Sequence, residues 1–124
     1  MSISNDIRGD SVVLFLESES RADTTACTSA WIDCSSYKGN LIFIVSVGAV
    51  TGSIVGKLRT ATSDAGAGAA DITGATHASF TTADHVATIV VPATVGKYIQ
   101  YVGTVVTGPV LLSVTMLAHP ASAG

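Results

Sequence analysis

Apolar and polar positions alternate along this chain in short runs divided by glycine, and two of the runs meet in the stretch Gly39 to Leu58, GNLIFIVSVGAVTGSIVGKL. The first, Leu41 to Val47, is apolar on both faces, as expected of a strand covered on both sides, and four of its seven residues are Val or Ile. The second alternates: Ile54, Gly56 and Leu58 fall on one side, Lys57 and Arg59 on the other, the period of a strand with one wet face. Between them Gly48 to Ser53 supplies residues that make a reversal easy. We read the stretch as the central hairpin of an antiparallel sheet.

The same periodicity places the other elements. Val12 to Leu16 predicts a short buried strand, with Glu17 to Thr25 as its polar exit loop. Ala30 to Asp33 predicts the next strand, with Trp31 as core mass at the end of a sandwich. After Arg59, the small-residue stretch Thr62 to Gly74 predicts a long exposed loop. Ala78 to Phe80 predicts a short strand, and Val86 to Val91 a longer one that Pro92 ends. Tyr98 to Val106 alternates, with Ile99, Tyr101, Gly103 and Val105 on one face. Thr107-Gly108-Pro109 turns the chain into Val110 to Leu117, where Val110, Leu112, Val114 and Met116 share a face, making a second hairpin. Seven or eight strands with turn signals between them predict an all-β, antiparallel two-sheet sandwich with jelly-roll-like topology. Residues 1–10 read as a polar N-terminal arm, 11–118 as the sandwich domain and 119–124 as a loose tail.

Composition agrees with strands and turns: Val, Ile and Thr make 39 of 124 residues, with 12 Gly and only 2 Met. Gly48, Gly52 and Gly56 also match the small-residue spacing by which transmembrane helices pack. A bilayer span takes about 20 mostly apolar residues, however, and only 16 separate Asn40 from Lys57, three of them glycine. No membrane partner is expected. The N-terminus MSISNDIRGD has no apolar signal segment, which points to a reducing cytoplasm as the site of synthesis. Cys27 and Cys34 are seven apart; a disulfide across that loop is geometrically possible, and free, partly buried thiols are the default.

Net charge is −3, and the six Lys and Arg residues are scattered singly, which argues against a groove that tracks phosphates and so against a nucleic-acid partner. From Tyr98 to Gly124 there is no Asp, Glu, Lys or Arg. Either another subunit or protein covers part of that surface, or it is a neutral coat carried by Thr104, Thr107, Ser113 and Thr115.

Catalytic constellations are not visible. None of His77, His85 and His119 has a neighbour at the spacing of a metal pair. Asp64 and Asp71 lack the dense oxygen spacing of a calcium loop. Glu17 and Glu19 could do acid/base work only if buried, and a strand exit is solvated. No nucleophile elbow or phosphate-binding loop occurs. We expect no enzyme activity, cofactor or metal.

From Trp31-Ile32-Asp33-Cys34-Ser35-Ser36-Tyr37-Lys38-Gly39, through Gly48-Ala49-Val50-Thr51-Gly52-Ser53, Lys57-Leu58-Arg59-Thr60 and Asp71-Ile72-Thr73-Gly74-Ala75, to Tyr98 to Val105 and Thr107-Gly108, the chain resembles small virion proteins of tailed bacteriophages. The resemblance covers about Trp31 to Leu117, and its Ala/Gly-rich loop before Asp71 departs from the more acidic and aromatic loop of that pattern. It implies a head decoration or cement protein on the outer capsid surface, partnered by the phage major capsid protein and by copies of itself, a homotrimer being favoured. The candidate subunit or capsid contacts are Ile3 and Ile7 in the arm and Tyr98, Gln100, Val102, Thr104, Leu111, Ser113 and Thr115 in the last two strands. Two other readings compete: a head-tail joining or tail accessory virion protein, and a carbohydrate-binding module. The last would need an exposed platform built from Trp31, Tyr37, Tyr98 and Tyr101, and Tyr98 and Tyr101 should point to opposite faces.

Overall fold

The computed structural model describes residues 11–120, which form eight strands. They are β1 (Ser11–Arg21), β2 (Ile32–Asp33), β3 (Tyr37–Val50), β4 (Ser53–Ala61), β5 (Ala70–Thr76), β6 (His85–Pro92), β7 (Tyr98–Val106) and β8 (Val110–Pro120), with one 3-10 turn at Ala93–Val95. They make two four-stranded sheets, ordered β1-β8-β3-β6 and β2-β7-β4-β5, and every pairing is antiparallel. Two sheets built in this order are a jelly-roll sandwich. The expected fold class is therefore the observed one.

The expected central hairpin is not a hairpin. β3 lies in one sheet, between β8 and β6, while β4 lies in the other, between β7 and β5. The Thr51-Gly52 reversal is a corner from sheet to sheet, which stacks Leu41, Phe43, Val45 and Val47 against Ile54 and Leu58 across the core. The second expected hairpin fails in the same way, with β7 and β8 in opposite sheets. Glycine-rich reversals permit either outcome; burying both apolar faces favours stacking over lateral pairing. The two corners lie side by side, and Thr51 N–H donates to the Pro109 carbonyl at 3.1 Å. A Cβ on Gly52 would collide with the Val106 and Thr107 carbonyl oxygens, so only glycine fits this corner.

Among the described residues, β4 and β5 are the only chain-consecutive strands that pair with each other. Their connection, residues 62–69, is the front half of the stretch expected to be a long loop; the rest of it is β5. β1 also runs on through Glu17 to Arg21, past its expected end, and bulges twice against β8, between Leu14 and Leu16 and between Leu16 and Glu19. The first bulge lets consecutive Phe15 and Leu16 both reach the core. Phe15 meets Phe43 edge-on at 5.0 Å between ring centroids. Phe80 contributes a single bridge to Ile54 where a short strand was expected. β8 continues to Pro120, two residues into the segment read as a tail. Trp31 is half-buried outside the core, with its indole against Gly66 of the β4–β5 loop, a correction to its expected place as core mass.

Candidate interaction surface

The inward positions of β3 and β8 follow from their alternation: Leu41, Phe43 and Val45 on β3 and Val110, Leu112, Val114 and Met116 on β8 are fully buried. The same alternation sends the remaining side chains outward, and the register aligns them in rows across all four strands. One row is Val12, Leu117, Ile42 and Val90; the next is Leu14, Thr115, Ile44 and Thr88; a third holds Ser113, Ser46 and Val86. No position in these rows carries a charge. Val12 is 69% exposed, Val86 68%, Leu14 57% and Val90 53%. Ile42, expected to be covered on both sides of its strand, is 36% exposed, because no described part of the chain lies over that side of the sheet. At one end the face dips into a shallow depression of about 380 Å³ among Ser18, Ser46, Gly48, Asp84, His85 and Leu111.

The outer face of the second sheet is of another kind. Asp71 on β5 accepts from Lys57 Nζ and Arg59 Nε on β4, each at 3.0 Å, and the Lys57 contact is the first cause that holds its carboxyl below the usual range. The carboxylate considered for calcium is thus engaged by two cations. β7 is flanked by the chain's own segment 24–33: Thr28 bridges Val102, Gln100 Nε2 donates to the Ser29 carbonyl at 3.0 Å, and Val105 N–H donates to Thr24 Oγ1 at 3.0 Å. Arg21 anchors this segment from below. It is buried, donates to the Ala26 and Glu17 carbonyls and pairs with Glu19 at 3.5 Å.

The expected contact residues consequently divide. Leu111, Ser113 and Thr115 lie on the neutral outer face of the first sheet, whereas Tyr98, Gln100, Val102 and Thr104 lie on the opposite outer face of the sandwich. They cannot form one surface, because β7 and β8 belong to different sheets. Ile3 and Ile7 lie outside the described residues. Sequence reasoning passed over Val12, Leu14, Ile42, Val86 and Val90, whose signal was present in strands apolar on both faces: the second face had no covering segment assigned to it.

Chemically reactive groups are turned inward. His77 is buried, its Nδ1–H donating to the Ala78 carbonyl at 2.7 Å, so its Nε2 accepts from the Tyr101 hydroxyl at 2.8 Å. Burial pushes the His77 imidazole below, and the Tyr101 phenol above, their ordinary values. Gly56 makes room for the pair, since a Cβ there would overlap both the Tyr101 hydroxyl and His77 Nε2. Cys27 and Cys34 are free, buried thiols. Burial, assisted by the charge of Asp33, pushes Cys34 up to about 12, which suppresses its thiolate and its reactivity. Among the described residues no group of three His, Cys, Asp or Glu side chains could hold a metal ion, and no helix is long and apolar enough to cross a membrane. Of the four aromatic residues a glycan platform would need, Tyr101 is fully buried and the other three are half-buried.

No protein-family model matches this chain, and no curated protein matches it. Among solved structures, the SPBc2 prophage-derived protein YomS aligns over 88% of this chain and 91% of its own at 13% identity, with a TM-score of 0.55, a likeness of fold. The tobacco streak virus coat protein, at 12% identity over 91% of this chain and 87% of its own (TM-score 0.45), and BiXyn10A CBM1, at 12% over 93% and 77% (TM-score 0.44), are too distant to bear on what this chain does.

Proposed function

We propose that this protein is a structural component of a bacteriophage virion, a head decoration or cement protein that binds the outer surface of the capsid and stabilises the lattice of the major capsid protein. The observation that carries the reading is the neutral outer face of the β1-β8-β3-β6 sheet, with four apolar side chains more than half exposed on it. A face with no charge in its three rows is suited to contact with another protein, since charged residues normally break up apolar area that faces water and the largest patch on a protein is often a functional one. Its projected extent, about 19 Å across four strands by about 20 Å along six residues, is on the order of 400 Å². A standard stable interface uses roughly 800 Å² of accessible surface per partner. A small neutral patch suits a protein whose binding is summed over many copies on a lattice. The shared fold with a prophage-derived protein supports a phage origin, and the resemblance of the Trp31 to Leu117 segment to phage virion proteins supports the decoration role. The protein is made in the host cytoplasm and ends on the virion exterior.

Particles assembled with and without the protein test this reading. Heads lacking it should assemble normally and lose integrity at lower temperature or denaturant concentration, and Leu14→Lys should abolish attachment while leaving the protein folded. Equal resistance of the two kinds of particle overturns the cement role, and labelled protein confined to one vertex assigns it to the head-tail joint instead.

A further inference from the structure

A sheet edge presents unpaired backbone N–H and C=O groups, and folded proteins guard such edges with charge, bulges, proline or brevity. Of the four edges formed by the described strands, three are guarded. β1 bulges twice and carries Glu17, Glu19 and Arg21. β2 is two residues long, and β5 is interrupted in register and bears the ion-paired Asp71. β6 has none of these over Val86-Ala87-Thr88-Ile89-Val90-Val91, six uncharged residues in unbroken register with β3. No described strand pairs with its other side. The 3-10 turn that follows it packs on β3, and β5 of the facing sheet comes near β6 without pairing with it.

We propose that β6 pairs antiparallel with β6 of a second copy of this chain across a two-fold axis at Thr88, joining two four-stranded sheets into one of eight. The occupant follows from the strand's own symmetry. Continuing the pleat requires outward residues opposite outward residues, and centring on Thr88 sets Val86 against Val90 of the second copy and Thr88 against itself. Apolar β-branched pairs and Thr–Thr pairs are favourable cross-strand neighbours, and no like charges meet. Moving the axis to Ile89 would bring Pro92, which has no N–H, opposite Val86; moving it to Ala87 would draw Asp84 further into the pairing. The junction also makes the neutral outer face continuous through Val90 and Val86, doubling it to the scale at which a stable interface forms. The pairing is a property of the chain in solution and stands or falls separately from the virion reading.

Directed cross-linking and molar mass test it on the full chain. Opposed residues of an antiparallel pair have Cβ atoms about 4.5–5.5 Å apart, close enough for a disulfide with small adjustment. Thr88→Cys should form a covalent dimer under mild oxidation; Val86→Cys should not cross-link alone and should do so when mixed with Val90→Cys. The native thiols do not interfere, being buried. By light scattering the wild type should be a concentration-dependent dimer, Thr88→Ser should retain it, and Thr88→Lys should weaken it about tenfold or more while leaving the circular dichroism of the monomer unchanged. A wild type that is monomeric at every concentration, a trimer indifferent to Thr88→Lys, or equal cross-linking of Thr88→Cys and Val86→Cys each overturns the proposal. So does a dimer that appears only when residues 1–10 are deleted, which would show the edge to be covered by the chain's own N-terminus.

Discussion

The two sheets share one core, to which β1-β8-β3-β6 supplies most of the buried side chains, and they also differ on their outer sides. In the β2-β7-β4-β5 sheet the outward surface is partly engaged by the chain itself: Lys57 and Arg59 hold Asp71, and the segment from Thr24 to Asp33 runs beside β7 and takes up its backbone groups, while Val55 and Val106 stay exposed. In the β1-β8-β3-β6 sheet, valines and leucines stand outward in register with no charge among them and no described segment above them. The inner faces were shaped by the need to fold. The outer face of the first sheet carries apolar side chains that the core does not use, and it is this face that the proposed capsid contact would cover.

Substitutions separate these roles, and the largest effects should come from the shared core. Phe43→Ala removes a fully buried ring that packs on Phe15, and should cost about 3–5 kcal/mol in denaturant unfolding. In the opposite sheet Gly56→Ala should cost about 1–3 kcal/mol, because the added methyl must displace the Tyr101 hydroxyl or the His77 ring. Removing the hydroxyl itself, in Tyr101→Phe, leaves His77 Nε2 as a buried acceptor without a donor and should cost a similar 1–3 kcal/mol.

Acid acts on the same pair. His77 is held below its unfolded value by burial, so the unfolded chain binds a proton more readily than the folded one. The stability this contributes is complete above about pH 6.5 and is lost as the pH falls below that value. The melting temperature should drop on acidification through this window, and His77→Gln should flatten that part of the profile. A fall unchanged in His77→Gln would assign the effect to other groups. The carboxylate of Asp33, held low by the hydrogen bonds from Ser35, acts only in a separate window, with any stability it contributes lost below the ordinary Asp range.

The smallest effects belong to the outer faces. Asp71→Asn breaks two exposed ion pairs and should leave the melting temperature unchanged, since such pairs are screened by water and salt. Val12→Thr should stay within about 0.5 kcal/mol of wild type, although the residue is the most exposed of the neutral face's first row, at its β1 end. A large loss of stability from Val12→Thr would mean that the face is covered within the monomer, and the contrast between the sheets would disappear.

Much of the architecture was legible along the chain. The alternation of Val110 to Leu117 and of Ile54 to Arg59 named the inward residues, since period-2 patterning is a local property that any sheet environment must respect. The proline at 92 and the glycines at 52 and 108 marked where strands end, because backbone restrictions act on the residue itself. Strand pairing was not legible. A reversal at Thr51-Gly52 looks the same whether the second run lies beside the first or crosses to the facing sheet, and among the described residues six of the eight strands pair with no chain-consecutive neighbour, β4 and β5 being the exception. That pair was the least visible, its second strand hidden in an Ala/Gly-rich stretch with little apolar signal. What the sequence by itself determined was therefore which side of each strand is apolar and where the chain turns. The tertiary structure alone decided which of those sides face each other and which remain facing water, because that depends on partners brought together from distant parts of the chain, and no local pattern records them.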